Sequence, residues 1–385
     1  MPNTFLTNDV LADAADDAAI LLSNNLVAAQ LTNRDVEEDI VDRDTGGKVT
    51  VEIRPELAAD IDERNAGNIS LTKTDNNQTG VEIDATNYVY QRQSMPTVDK
   101  TWGVDDFTRE VTEPAILAIR EQVDKYFVRR IAGGYSENVI SDDNSIGTHP
   151  SDVNDVLNAM QTMNEQKAPQ AGRVGLISAT THANLLGLDQ FTSADFGEDA
   201  PAGLREGALA RRYGFGYFMD QNVTTHPFGD TGGATLNGGT SGGVEEITVD
   251  GLSTADGQIN EGARFDLGNS QVYTVAERVQ YSGNSATLPV TPTIQNSVAD
   301  GTALNFQTAH TQDVFYNPDF ALGAIVAPEP VQGAMSEVGS FGNVAVRISV
   351  VPSMEGSDGL SEDILYDVYI GSQVTKPRTG VVLQA

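Results

Sequence analysis

Apolar residues recur along this chain with two different periods, and the change of period divides it. In residues 105–132, DDFTREVTEPAILAIREQVDKYFVRRIA, Val111, Ala115, Ile119, Val123 and Phe127 fall at helical spacing beside Arg120, Glu121 and Asp124. A stripe repeating every three or four residues predicts a long amphipathic helix. Pro114 marks a kink or a restart, and Gly133 and Gly134 end the helix. A second helix is predicted from Ser151, read as its cap, through Val153, Val156, Leu157, Met160 and Met163 to a stop at Pro169. RVGLI at 173–177 reads as a buried strand and residues 179–186 as a short helix, which makes this region α+β. Residues 1–45 begin Ala-rich, with Leu11, Ala15, Ile20, Leu21 and Leu22 on roughly one side of a helix, and turn acidic between Glu37 and Asp44.

Elsewhere the period is two. KVTVEIR, residues 48–54, alternates with Val49, Val51 and Ile53 on one face, the pattern of a strand. Residues 68–93 place Asp75, Asn76, Asn77 and Gly80 as turn residues between β-rich runs that end in Tyr88, Val89 and Tyr90. The expectation is a long two-stranded excursion. A lone ribbon is marginal in water, so it packs on a second subunit or folds back on its own domain. From residue 227 the character changes: PFGDTGGATLNGGTSGG reads as a flexible lead-in to a small all-β insertion ending near 305. Residues 306–385 return to mixed composition, with the alternating strands NVAVRISVV and DILYDVYIG and a terminal VVLQA. The body is read as interrupted and resumed.

Charge sharpens the picture. Among 385 residues, 55 Asp and Glu face 23 Lys and Arg, a formal net charge of -32, where small soluble domains usually carry roughly 2 to 8. Six of the basic residues are lysines, at 48, 73, 100, 125, 167 and 376. Such an excess suits a salt-rich medium, because the Debye length falls from roughly 8 Å at about 0.15 M to roughly 3 Å at about 1 M. An ordinary acidic protein with a solvated surface is the plainer reading. Either way the field repels nucleic acid, and sequence-specific DNA binding is not expected.

The candidate chemistry is sparse. With no cysteine, disulfides, thiolate metal sites and a cysteine nucleophile are excluded. The histidines at 148, 182, 226 and 310 have no ligand spacing. DDNSIG at 142–147 begins like a calcium loop, but Ile146 and Val153 occupy ligand positions. No GxxxxGK[ST] or GxSxG run is present, and GFG at 214–216 lacks the rest of a dinucleotide fingerprint. Adjacent acids such as Glu37 and Glu38, or Asp105 and Asp106, read as solvated surface in so acidic a chain. No cofactor is expected and an enzyme is disfavoured. The first 25 residues show neither a basic start nor an unbroken apolar run, so no signal peptide or anchor is read.

LREGALARRYGFGYFMDQNV, residues 204–223, resembles a recurring passage of tailed-virus major capsid proteins, in which a short helix, Gly214 and a strand precede an Asn-Val turn. DVFYNPDFALGAIVAP at 313–328 is similar to the aromatic-alanine passage of the branch that includes the P-twenty-two coat protein. NEGARFDLGNSQVYTVAERV at 260–279, followed by TLPVTPTI, resembles the β-barrel insertion of that branch. DVYIGSQVTKPRTGVVL matches its ending through Gly371 and Pro377, with Lys376 where the family commonly has Arg. The ordered series spans nearly the whole chain.

The resemblance implies an α+β fold of the Hong Kong 97 type. Its parts are an N-terminal arm (1–45), an extended β-hairpin loop (46–104), a long spine helix and peripheral/axial body (105–226), an all-β insertion domain (227–305) and a return to the body (306–385). It implies a shell subunit of a tailed virus, from a haloarchaeal host by its charge. The partners are then copies of itself in hexamers and pentamers, with scaffolding, portal and decoration proteins, DNA enclosed without sequence readout, and no membrane. The site would be the virion, assembled in the host cytoplasm. Residues expected to meet a neighbouring subunit are Tyr88, Tyr90, Arg92, Trp102, Gly371, Lys376 and Pro377, with hinges near Gly46, Gly47 and Thr101. Scarce lysine favours non-covalent locking over the Lys-to-Asn crosslink of some relatives. Two other readings remain open, a cell-surface array or adhesin protein of a halophile and a soluble halophilic hydrolase.

Overall fold

A computed structural model describes residues 8–36, 40, 47–53, 79–96, 108–132, 139–141, 152–192, 209, 211–223, 225–226, 229–260, 262–268, 272–276, 278–291, 293–294, 296–306, 310–331, 335–353 and 361–384. From the N-terminus run α1 (Asn8–Asn25), β1 (Lys48–Ile53), β2 (Thr79–Asp84), β3 (Asn87–Pro96), α2 (Glu113–Ala132), β4 (Val139–Ser141), α3 (Val153–Glu165), β5 (Val174–Ile177), α4 (Ala179–Leu186), β6 (Gly216–Met219) and β7 (Thr225–His226). Short strands follow: β8 (Thr235–Leu236), β9 (Glu246–Asp250), β10 (Asp256–Ile259), β11 (Arg264–Asp266), β12 (Val272–Val275), β13 (Val279–Ser282), β14 (Ala286–Thr291) and β15 (Asn305–Phe306). The chain returns through β16 (His310–Tyr316), β17 (Ala321–Val326), β18 (Met335–Phe341), β19 (Val344–Ser353), β20 (Ser361–Val374) and β21 (Gly380–Gln384).

The stripe read from sequence is the buried face of α2: Val111, Ala115, Ile119, Val123 and Phe127 are all buried. Every described residue of the expected span is helical, as a π-helical turn at Thr108–Thr112 that runs into α-helix from Glu113. Pro114 lies at that junction, where the hydrogen-bond spacing changes, in keeping with its missing N–H. The buried side of α2 joins one apolar core with two sheets: Ile348, Tyr366 and Val368 come from the first, Leu176, Val314 and Tyr316 from the second.

The first sheet has the order β17-β20-β19-β18, with β3 also on β20. Tyr369 pairs with both Val326 of β17 and Tyr88 of β3, which places those strands on opposite edges of β20. The second sheet runs β4-β21-β16-β5-β6, and β7 adds to β16. Its other side packs on α3 and α4 through Val156, Met163, Leu185, Phe215 and Phe315. The cap of α3 is Asp152, not Ser151, with Asp155 completing a capping box; a carboxylate satisfies the orphan N–H groups as a hydroxyl does and also favours the helix dipole.

Among the described residues the hairpin is β1 with β2: Val49 faces Ile83 and Val51 faces Val81. The first run and the turn of the excursion read from 68–93, with Asp75, Asn76 and Asn77, lie outside the described residues. Residues 87–96, assigned to the extended loop, pair with β20 over ten positions and so belong to the body sheet. The arm helix α1 docks on its own chain, so close to β18 that a Cβ at Gly339 would collide with the Ala15 carbonyl. Ile20 points to solvent rather than sharing that buried side.

Among the described residues the insertion is built of strands and turns, with its own core from Leu236 and Val249 to Phe265, Tyr273 and Leu288. Its main sheet runs β15-β11-β12-β14-β9-β8. Leu236 N bonds Thr302 O at 2.8 Å and Leu304 N bonds Ala234 O at 2.9 Å, so the strip before β15 closes onto β8 as in a barrel. The lead-in is correspondingly not a free linker. Asp230 N bonds Gln258 O and Ser253 N bonds Gly232 O, both at 2.8 Å. Gly233 has φ +78 and lies where a Cβ would meet Gly251 O at 2.6 Å. Its glycines serve tight turns and close strand approach, which composition alone does not separate from flexibility.

Candidate assembly surface

Alternation along β20 gives the first sheet two unlike faces. Ile364, Tyr366, Val368 and Ile370 turn inward and are buried. Asp363, Leu365, Asp367, Tyr369 and Gly371 turn outward. The β3 register sets Tyr88 opposite Tyr369, Tyr90 opposite Asp367, Arg92 opposite Leu365 and Ser94 opposite Asp363. Three residues singled out from sequence, Tyr88, Tyr90 and Arg92, therefore share this outer face.

The acids on that face are neutralised in place. Arg347 of β19 donates Nε to Asp367 Oδ1 at 2.9 Å and a second N–H to Oδ2, while Asp367 is fully buried. Arg92 donates Nε to Asp363 Oδ2 at 3.0 Å. Over these pairs lie aromatic rings: Tyr88 stacks on Tyr90 with centroids 5.4 Å apart and meets Tyr369 at 5.3 Å. Tyr88, Tyr90 and Tyr369 remain 41%, 60% and 36% exposed, and Val338 and Val351, farther along the same sheet on β18 and β19, are also exposed. The result is an apolar, charge-compensated patch on a rigid sheet, the composition expected at the centre of a protein contact.

Of the other singled-out residues, the described ones, Gly371, Lys376 and Pro377, do not join it. Gly371 follows Tyr369 on the same face but is covered by its own chain, since a Cβ there would lie 2.5 Å from Asp84 O. Lys376 pairs with Asp319 at 3.5 Å on the rim of a cleft of about 640 Å³. Pro377 opens the adjoining 3-10 turn, Pro377–Thr379. Gly47 has φ +82 and its carbonyl accepts from Ala85 N at 2.9 Å, closing the base of the β1–β2 ribbon. Gly46, Thr101 and Trp102 lie outside the described residues, as does the calcium-like run 142–147. Tyr369, Arg347 and Asp367 were not singled out, although the period-two reading of DILYDVYIG already put Asp367 and Tyr369 on one face.

Among the described residues no group of three or more His, Asp or Glu is placed to hold a metal ion. No helix among them is long and apolar enough to cross a membrane. No protein-family model matches the sequence, and no curated protein matches it significantly. Solved structures do resemble it. One from Mycobacterium phage Che8 is 16% identical, with 93% of this chain and 91% of the other covered and a TM-score of 0.51. The capsid structure of the cyanophage P-SCSP1u is 11% identical over 88% and 83%, TM-score 0.48. The virus-like particle from Pyrococcus furiosus is 11% identical over 96% and 98%, TM-score 0.41. At such identity the likeness speaks to architecture: the chain has an α+β fold of the Hong Kong 97 type, the fold of phage capsid proteins.

Proposed function

We propose that this chain is the major capsid protein of a tailed virus, assembling with copies of itself into an icosahedral shell around double-stranded DNA. The observation that carries the reading is the outer face of the first sheet, where tyrosines stay exposed above ion pairs already neutralised within the subunit. A monomer gains nothing from leaving such a patch wet, whereas a shell subunit buries it against a neighbour. The end-to-end likeness in fold supports the same conclusion.

On this reading the β1–β2 ribbon is the extended loop, α2 the spine and residues 229–306 the insertion domain. Gly47, at the base of the ribbon, is a hinge that absorbs angular differences between subunit environments. Lys376 and Pro377 are further contact residues. Scaffolding, portal and decoration proteins are the expected partners, the virion is the place of action, and the host cytoplasm is where assembly occurs. The net charge of -32 fits a haloarchaeal virus, and we read the all-β insertion as that of the P-twenty-two-like branch.

Electron microscopy and sedimentation of the purified protein, in molar salt and after dilution, test this. Closed shells or capsomer rings in high salt that loosen on dilution are expected. A monomer indifferent to salt would overturn both the shell and the halophile readings.

A further inference from the structure

The insertion meets the body away from its two chain crossings. Along β11 and β12 the side chains alternate: Phe265, Tyr273 and Val275 belong to the insertion's own core, while Arg264, directly opposite Thr274, falls on the other face. That face is closed as well, since Arg264 is fully buried and Thr274 is 4% exposed. The end of α2 lies there. Arg264 donates from Nη2 to the carbonyl of Ala132 at 3.2 Å, a bond across 132 positions of chain. Ala132 is the last residue of α2 and is itself buried.

The partner suits the place. The last four carbonyls of a helix have no N–H partner within it and carry the negative end of its dipole. A guanidinium complements that end, and Arg129 and Arg130 load the same turn from the helix itself. Burial nevertheless works against the charge of Arg264, and an apolar side chain of similar length would avoid that cost. What the guanidinium adds is direction, because a hydrogen bond to a carbonyl holds a narrow range of distance and angle. The apolar core around α2 and the core of the insertion are separate clusters, so continuous packing from one core to the other does not supply that direction.

We propose that Arg264 is a coupling residue, fastening the insertion to the last turn of α2 so that the two open and tilt as one unit. The crossings from β7 and into β16 tether the insertion; Arg264 sets its angle. Because α2 shares one core with both body sheets, a displacement of the helix passes to the insertion through Ala132. The coupling belongs to the single subunit and holds whether or not the chain builds a shell.

The test is hydrogen exchange, read by mass spectrometry on the full chain, with Ala132→Gly placed in the wild type and in Arg264→Met. Glycine loosens the helix end without touching the insertion. In the wild type, exchange should rise roughly 2- to 5-fold at the last turn of α2 and equally at β11, the factor given by a glycine penalty of up to about 1 kcal/mol. In Arg264→Met the same substitution should still loosen the helix end and leave β11 unchanged, as coupling between two places is reciprocal and ends when the link is cut. Should Arg264→Met not fold, Arg264→Gln, polar but too short to reach the carbonyl, takes its place. A β11 that ignores Ala132→Gly in the wild type, or responds equally in both backgrounds, overturns the proposal.

Discussion

Tyr88 donates its phenolic hydrogen to Asp367 Oδ2 at 2.6 Å, diagonally across the β3–β20 ladder, in which Tyr369 and not Asp367 is its direct opposite. Arg347 holds the same carboxylate from β19. One buried acid thus joins three strands on a face otherwise open to solvent. The phenol is kept protonated, its pKa pushed up to about 12 by burial and by the neighbouring Asp367.

Replacing Tyr88 with Phe removes that donor and keeps the ring. A hydrogen bond to a charged acceptor contributes about 1.5–3 kcal/mol, and the half-exposed position and the remaining Arg347 reduce the loss to about 1–2 kcal/mol. Urea unfolding should show a lower midpoint with an unchanged slope.

Arg347→Met is the harsher change. It leaves Asp367 buried beside a single phenol, and breaking a buried pair from one side costs about 3–5 kcal/mol. The double variant Arg347→Met, Asp367→Leu removes both charges and should recover most of that loss. A double variant no more stable than the single one would show that the pair is not the source of the effect.

The elements legible in the sequence were those set by local spacing. The stripe from Val111 to Phe127 gave α2 because a helix brings residues three and four apart to one side whatever lies opposite. The boundaries of α4 and the all-β character of the insertion were readable for similar local reasons. The partners of the strands were not. Tyr88 and Tyr369 meet across 281 positions of chain, and nothing in NYVYQRQ states that its partner is DILYDVYIG rather than a nearer run. Tyr88, Tyr90 and Arg92 were found as a group because alternation is local. Arg347 and Asp367, which hold the group together, became visible only with the register.

Asp124 gives a pH dependence of unusual sign. Burial, then the charge of Asp220, lift its carboxyl from 3.8 to about 6, against the pull of the Val27 and Ala29 N–H groups and of Arg120. The folded state therefore binds this proton more tightly than the unfolded chain does. The stability linked to it is complete below about pH 3.8 and is lost as pH rises through about 6. The full effect is at most about 3 kcal/mol. Asp84, whose carboxyl is held below its ordinary value by the Thr86 hydroxyl and Lys48, acts oppositely at lower pH. The quantity to measure is thus the difference in stability between wild type and Asp124→Asn. It should favour the wild type progressively as pH falls from 7.5 to 4.5, and a flat difference would show that Asp124 is not the titrating group.

Tyr90 separates folding from assembly. Its ring is 60% exposed and stacks on Tyr88, so Tyr90→Ala should cost the isolated subunit about 1 kcal/mol or less. If the outer face meets a neighbour, the same ring becomes a central aromatic anchor, and truncating such an anchor typically costs about 2 kcal/mol or more per contact. That corresponds to a rise of roughly 30-fold in the concentration needed to form the contact. Sedimentation across a concentration series should then show a folded Tyr90→Ala subunit that assembles only at much higher concentration than the wild type. Tyr90→Phe, which keeps the ring, should assemble nearly normally. Equal assembly of all three proteins would remove this face from the shell contacts and leave the tyrosines without a partner to explain their exposure.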